Sequence, residues 1–402
     1  MNKSIIIHEL KMISKSRKNI LFVLTLLALI MSYCFLILPS KQTPDSFHSH
    51  QVEKKIEDLS AVQKGKELRG ETGFSPMSGR FIYAENDYNL SLQRKLLTAF
   101  EEENFVRFAH LRMKDFTFNG ITPNELVIFY SPSPGKDINH LYNQTLLRYQ
   151  GYLHEQLPIT YQLIEQKTAL QTVQNFLLSS GVLLLIFCAI YFSSDMLSKD
   201  RRNQSILQGI PVPWYRLINL KTLVTFLYTI AVLAGLTLVA VTILTLQNGF
   251  GFFDIRVPIM LSEKTSYGQN QYDTISITRF FLLCTAILPL LIYLFIRVNA
   301  ILGLVFKNTW LVLMISSVIL FIERIYYSRT LRELFGIDIS FFPQTYFEFG
   351  KVITGEKNFL INMESILYEK GIIVLIITVL VVEIFLFATS RIINKRRFYE
   401  GS

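Results

Sequence analysis

The residues best suited to bind a charged partner lie in one basic stretch in the middle of the chain, residues 193–222. Acids and bases follow one another there as Asp195, Lys199, Asp200, Arg201 and Arg202. Charged side chains held in a fixed geometry form charge-assisted hydrogen bonds, which give a protein contact its register and specificity. The stretch therefore predicts recognition of a separate protein rather than a covalent reaction.

The second half of the stretch predicts a rigid turn. Gly209 can end a helix, and Pro211 and Pro213 stop the helix from resuming because proline lacks an amide hydrogen. Trp214 and Tyr215 then fix the start of the next helix. The alternative interpretation is a basic loop without a partner, since loops on the inner side of a membrane are generally basic. The order of helix, Gly-x-Pro turn and aromatic pair favours a segment that couples to a partner.

One acid, Glu383, lies deep inside an apolar run. Ionisable residues within membrane segments are costly and mark substrate paths or proton relays. A functional interpretation makes Glu383 a contact on an intramembrane path. The alternative, which we favour, is a structural hydrogen bond to a Ser, Thr or Tyr side chain on a neighbouring helix.

Motifs for enzymatic chemistry are absent from the sequence. Gly135-Lys136 lacks the glycine and hydroxyl positions of a phosphate-binding loop, and residues 8–12 and 154–158 lack the second histidine of a zinc helix. No Gly-x-Ser-x-Gly elbow occurs. We therefore expect no catalytic, cofactor or metal site in this chain, and no enzyme activity of its own.

The elements that must position these residues are apolar runs of membrane-spanning length, which is about 20 residues. Half of the 402 residues are hydrophobic, and mean hydropathy is +0.34. We predict six transmembrane helices, the fifth short and with indistinct ends, at residues 20–38, 173–192, 223–246, 280–296, 309–322 and 371–389. Pro289 should kink the fourth span, and Gly235 should allow close helix approach in the third. The fold class is thus an all-α polytopic membrane protein.

The distribution of Lys and Arg sets the orientation. Residues 1–19, 193–222, 297–308 and 390–402 together hold 16 basic and four acidic residues. Both termini are therefore predicted to be cytoplasmic, and the net charge of +9 requires no nucleic acid to explain it. Residues 1–19 read as an amphipathic elbow helix lying against anionic lipid headgroups.

Three segments should lie on the outer side, at residues 39–172, 247–279 and 323–370. The first is large enough for a mainly helical extracellular domain, with a weak helix or mobile arm at 52–69 and a lone strand at 126–130. All three cysteines fall in predicted spans, so this domain should need no disulfides. The centre of the third segment, residues 334–343, is too apolar for a free loop. It reads either as an interfacial or re-entrant segment packed on the bundle or as a surface loop with buried anchors. Glu323-Arg324, at the start of the segment, reads as an interface anchor pair.

Residues 193–221 resemble the cytoplasmic coupling segment of the permease subunits of bacterial ABC-2-type exporters. The shared features are an acid, a basic pair, a hydrophobic pair, Gly-x-Pro, a basic residue and Lys. Gln204-Ser205 depart from the Gly-Thr found in many members. The resemblance implies that ATP and Mg²⁺ are bound by separate ABC ATPase subunits, and that a second permease copy or homologue completes the transporter. An amphipathic cargo is then expected, such as an antimicrobial peptide, a lantibiotic, a lipid-like compound or a drug.

Two other classes stay open. One is a four-span mechanotransmission permease for peptide resistance, which would have fewer spans. The other is a membrane sensor or assembly scaffold that transports nothing, which would have no ATPase partner.

Overall fold

The computed structural model describes residues 2–43, 45–70, 73–75, 79–120, 134–199, 212–262, 271–329 and 331–400. Most of these residues are helical. The helices are α1 Asn2–Ser14, α2 Arg17–Ser40, α3 Ser49–Arg69, α4 Ile82–Glu101, α5 Phe105–Asn119, α6 Pro134–His154, α7 Tyr161–Ile164, α8 Ala169–Leu178, α9 Val182–Ser193, α10 Trp214–Asn248, α11 Ile277–Phe306, α12 Thr309–Phe321, α13 Glu323–Tyr326, α14 Phe349–Ile353, α15 Glu356–Ile361, α16 Tyr368–Ile392 and α17 Lys395–Glu400.

The strands form three small antiparallel hairpins. These are β1 Phe74–Ser75 with β2 Arg80–Phe81, β3 Arg256–Ser262 with β4 Gln271–Ser276, and β5 Glu333–Leu334 with β6 Ile337–Asp338. The β3–β4 hairpin was not predicted. It packs on α6, where Arg256 pairs with Glu155 and covers the helix at Gly151.

Within the described part of the chain, four helices are long and apolar enough to cross a membrane: α2, α10, α11 and α16. They contain the predicted first, third, fourth and sixth spans. Helix α12 is apolar but has only 13 residues. The prediction of a mainly helical protein with several membrane-type helices is confirmed, whereas the count of six is not.

The predicted second span, at 173–192, is wrong as a continuous helix. The chain bends by 72° between Tyr161–Leu178 and Val182–Ser193. Ser179 Oγ donates to the carbonyl oxygen of Phe176 over 2.8 Å and accepts from the amide of Gly181 over 3.1 Å, so a side chain replaces helical hydrogen bonds. The Phe176 ring occupies the space that a side chain at Gly181 would need. The break therefore depends on local hydrogen bonding that apolarity does not indicate.

Helix α11 is longer than predicted. It runs to Phe306 with Pro289 in its interior, so the predicted loop at 297–308 is helical for most of its length. Polar residues suggested that loop, but their partners lie inside the bundle. Asn299 Nδ2 donates to the carbonyl oxygen of Ile190 over 2.9 Å, and Asn299 Oδ1 accepts from Ser316. At Gly235, by contrast, no atom of another described element lies within 4 Å of the position that a Cβ would take, so the predicted close approach is not found within this chain.

The residues between α2 and α8 build the predicted mainly helical region. Residues 52–69, predicted as a weak helix or mobile arm, belong to the regular helix α3. The predicted strand at 126–130 lies outside the described residues. The core of α4, α5 and α6 is continuous with that of the bundle, since Phe108, Tyr149 and Tyr152 belong to the same buried cluster as Phe280 and Leu291.

The segment after α12 packs against the break in the second span. Lys357 Nζ lies 2.6 Å from Glu323 Oε1 and 3.3 Å from Glu348 Oε2, and Arg324 bonds both Glu348 and Ser180. Burial acts to raise the pKa of Glu348, but the positive charges of Lys357, Lys351 and Arg324 outweigh it and lower the pKa. Glu323 is thus a buried member of an ion network, and Arg324, whose side chain is 46% exposed, joins this network from the surface. The interface anchor pair stays a prediction.

Candidate functional site

Three of the eight predicted coupling residues lie within the described residues: Asp195, Lys199 and Pro213. The other five lie outside them, at Asp200, Arg201, Arg202, Gly209 and Pro211. The site can therefore be described at its two flanks, which are residues 194–199 after α9 and residues 212–214 at the start of α10.

The first flank is held against the junction of α1 and α2. Lys199 Nζ lies 2.8 Å from Asp195 Oδ2, and Lys18 Nζ lies 3.6 Å from the same oxygen. Lys199 also donates to Ser16 Oγ over 3.1 Å, and Lys18 donates to Ser194 Oγ over 2.8 Å. Asp195 is buried, so its carboxylate organises this flank from within. The side chains of its two lysines, Lys18 and Lys199, are partly open to solvent.

Both flanks enter one buried apolar cluster, here called the basal cluster. Met196 and Leu197 come from the first flank, and Val212 and Trp214 from the second. The remaining buried members come from the helix ends at this side of the bundle, namely Leu217, Ile218, Ala300, Leu304, Leu386 and Phe398. The exposed Pro213 immediately precedes α10 and directs Trp214 inward.

The elbow helix α1 is joined to α10 by a buried ion pair. Lys221 Nζ lies 2.5 Å from Glu9 Oε1, and both side chains are almost completely buried. A helix is present where the amphipathic elbow was predicted, but its apolar Leu10 is 43% exposed while its charged Glu9 is buried. The basic residue Lys221, predicted on the inner side just before the third span, lies within α10.

Glu383 lies in a polar cluster that joins α10, α11 and α16. Tyr293 donates its hydroxyl hydrogen to Glu383 Oε1 over 2.7 Å, and Tyr215 donates to Glu383 Oε2 over 3.3 Å. Arg297 Nε lies 2.7 Å from Glu383 Oε1, and Arg297 Nη1 donates to Asn219 Oδ1 over 2.6 Å. The Glu383 carboxylate thus accepts hydrogen bonds from two tyrosine hydroxyls and is paired with the Arg297 guanidinium. A charge inside a protein needs such hydrogen bonds and a partner of opposite charge.

Sequence reasoning missed Arg297, Asn219 and Phe398. Arg297 was assigned to a loop because charge commonly marks a span end. One pattern could have indicated the pair of Arg297 and Glu383. The last apolar run contains a single acid, and an arginine directly follows the fourth run. Nothing in the sequence distinguishes Phe398 from an ordinary residue of a basic tail.

A cavity of about 840 Å³ lies between α4, α5 and α6, away from these clusters. Its lining combines aromatic and apolar side chains with a few polar ones, including Tyr88, His110, Met113, Lys114 and Leu146. Small-molecule sites commonly have this size and mixture. Elsewhere, within the residues that the structure describes, no group of three His, Cys, Asp or Glu side chains could hold a metal ion.

Comparison of the chain with protein-family models, with curated proteins and with solved structures finds no match in any of the three.

Proposed function

We propose that this chain is the transmembrane subunit of an ATP-driven exporter in a bacterial plasma membrane, with both termini cytoplasmic. The observation that carries the proposal is the anchorage of residues 200–211. Both flanks of this segment are fixed in the basal cluster, so a partner that moved the segment would move the helix ends. The resemblance of residues 193–221 to ABC-2 coupling segments identifies an ABC ATPase as that partner.

The two clusters provide a route from the segment into the bundle. Trp214 lies in the basal cluster, and the next residue, Tyr215, bonds Glu383. A displacement of the second flank therefore acts first on α10 and then, through Ala300, Leu304 and Leu386 of the basal cluster, on α11 and α16. Packed cores and ion-pair networks favour discrete arrangements over continuous deformation, which suits an alternating-access cycle.

The separate ATPase subunits would bind ATP and Mg²⁺, and a second copy or homologue of this chain would complete the permease. An amphipathic cargo is supported by the cavity between α4, α5 and α6. Its aromatic and methionine lining suits an apolar moiety, while Lys114 offers a charge. Lipid-like compounds, lantibiotics and other antimicrobial peptides combine these properties.

One observation favours a second candidate, the mechanotransmission permease. Four helices in the described part of the chain are long enough to span a membrane, which is the number that class requires. The broken pair, Tyr161–Leu178 and Val182–Ser193, and helix α12 would then pack against the spanning helices without crossing the membrane.

A thiol-labelling experiment separates the six-span exporter from the four-span permease. In the six-span protein α12 crosses the membrane, so its two ends lie on opposite sides. Cysteines at Lys307 and Tyr327 should react with an impermeant reagent from opposite sides if α12 crosses, and from the same side if it does not.

Charge reversal in the coupling segment tests the exporter proposal. The tagged full-length chain is isolated in mild detergent from the cells that produce it, and ATPase activity in the isolate is measured. Loss of hydrogen-bonded charge pairs at a protein contact costs about 2–5 kcal/mol, so Arg201→Glu with Arg202→Glu should remove most of the associated activity.

The matched control is Lys11→Glu with Lys15→Glu, which makes the same charge change at two exposed positions, one in α1 and one directly after it. It should leave the associated activity unchanged. Equal retention of ATPase activity by wild type and by the Arg201 and Arg202 variant would contradict the proposal. A wild-type isolate free of ATPase activity would favour the sensor or scaffold.

A further inference from the structure

The C-terminal helix α17 is built into the base of the bundle. Phe398 is completely buried, and the centroid of its ring lies 5.3 Å from that of Trp214. Trp214 Nε1 donates to the carbonyl oxygen of Ile393 over 3.0 Å, which ties the residues before α17 to the same side chain. Asn394 Oδ1 accepts from the amide of Arg397 over 2.9 Å and so supports the first turn of α17.

A tail that only marked the inner side of a membrane would need basic residues and no buried aromatic ring. The position of Phe398 indicates a further role. It belongs to the basal cluster, which also holds Leu197 at the first flank and Val212 at the second. The two points between which residues 200–211 lie therefore share one apolar core with the tail.

We propose that α17 is part of the coupling apparatus, with Phe398 as a positioning residue. By packing on Trp214, Phe398 holds the second flank against the first, so that force on residues 200–211 reaches the start of α10. Close-packed cores resist relative displacement of their members, whereas a cavity at this place would let Trp214 shift alone. This inference rests on the proposed exporter function and adds to it a part for the C-terminal residues.

Trp214 itself reports whether the tail is docked. The chain has two tryptophans, and the other, Trp310, is 73% exposed, so Trp310→Phe leaves Trp214 as the single tryptophan, which is excited selectively at wavelengths that tyrosine does not absorb. In this background the purified full chain should show a red shift of emission and stronger quenching by acrylamide when Phe398→Ala is added. Phe398→Leu should restore most of the shielding, and Ile392→Ala, which removes a side chain that is 65% exposed, should have no effect. An unchanged Trp214 spectrum in Phe398→Ala would overturn the inference.

The coupling role is tested by ATPase activity in the isolate of the tagged chain. Phe398→Ala should lose a large part of the cargo-linked ATP hydrolysis, and Phe398→Leu should recover it. Both variants are compared at equal membrane content and with equal elution in size-exclusion chromatography, so that a folding defect is recognised. Hydrolysis at the wild-type level together with an exposed Trp214 would overturn the positioning role.

Failure of the inference and failure of the proposed function give different results. Arg201→Glu with Arg202→Glu should remove ATPase activity while leaving the emission of Trp214 unchanged, because it replaces none of the described members of the basal cluster. If that variant keeps its ATPase activity, the exporter function is wrong. If it loses the activity while Phe398→Ala does not, the exporter function stands and only the role of α17 is wrong.

Discussion

Glu9 and Lys221 are 212 positions apart and form an ion pair with 2.5 Å between Glu9 Oε1 and Lys221 Nζ. Removing one member of such a buried pair leaves the other charge without its partner and costs about 3–5 kcal/mol. We therefore expect Glu9→Ala to lower the thermal unfolding midpoint in detergent by several degrees. Replacing both members with apolar residues of similar volume is commonly neutral, so Glu9→Leu with Lys221→Met should recover much of the loss.

Lys11 provides the control for this pair, because it lies on the same helix and is exposed. Lys11→Met should unfold at the wild-type temperature. If Glu9→Ala also unfolded at that temperature, α1 would not depend on the ion pair for its attachment to α10.

Because His140 is buried, we expect the free energy of unfolding to depend on pH. Its Nδ1 lies 2.8 Å from the hydroxyl of Tyr272, its ring stacks on Phe359 at 3.8 Å, and burial lowers its pKa from 6.5 to about 4. Asp137 acts to raise this pKa, whereas Lys136 and Arg329 act with burial to lower it. The unfolded chain then binds more protons than the folded one below pH 6.5, so the free energy of unfolding falls as the pH decreases towards 4.

The size of this effect follows from the pKa difference, since about 1.4 kcal/mol per pKa unit gives a total of roughly 3 kcal/mol. Unfolding midpoints of the wild type should therefore fall between pH 7 and pH 4.5 more steeply than those of His140→Gln. His154→Gln is the control, because His154 lies on the same helix with an exposed side chain. Parallel pH profiles for wild type and His140→Gln would show that His140 is not the group responsible.

The sequence was sufficient for features that depend on local apolarity. The long helices α2, α10, α11 and α16 follow from runs of apolar residues, and α1 follows from its amphipathic spacing. These patterns are properties of the chain itself and require no knowledge of neighbours. For the same reason the mainly helical nature of residues 39–172 was predictable.

The sequence was insufficient where a distant residue decides the local structure. Arg297 and Asn299 look like loop residues until Glu383 and Ser316 are known to satisfy them. The bend after Leu178 arises from one hydroxyl and one ring, which do not alter the apolarity of the run. For Phe398 the deciding feature is Trp214, 184 positions earlier, and no spacing rule connects the two.

Two glycines give a prediction about packing. A side chain at Gly350 would collide with the backbone carbonyl group of Leu177, so α14 approaches the broken span as closely as its backbone allows. Gly350→Ala must move one of the two backbones, and we expect a cost of about 1–3 kcal/mol, as is typical of overpacking. The unfolding midpoint should fall accordingly.

Gly235→Ala is the matched control. Gly235 lies within helix α10 with open space around it, so alanine should be neutral or stabilise by up to about 1 kcal/mol through its higher helix propensity. Equal midpoints for the two variants would mean that the contact between Gly350 and Leu177 does not limit packing.

Substitutions of Glu383 test whether its carboxylate holds the helices together or takes part in transport. Its partners Arg297 and Tyr293 lie on α11, and Arg297 is largely buried. If the pair only holds the helices together, Glu383→Ala should destabilise the protein by about 3–5 kcal/mol, and Glu383→Met with Arg297→Met should recover both stability and cargo-linked ATP hydrolysis. If the carboxylate contacts cargo or protons, the double variant should recover stability without ATP hydrolysis.

The control is Glu369→Gln, at an exposed position near the start of the same helix, which should change neither stability nor ATP hydrolysis. The tyrosine bonds and the paired arginine favour the structural role, and recovery of hydrolysis by the double variant is the result we expect.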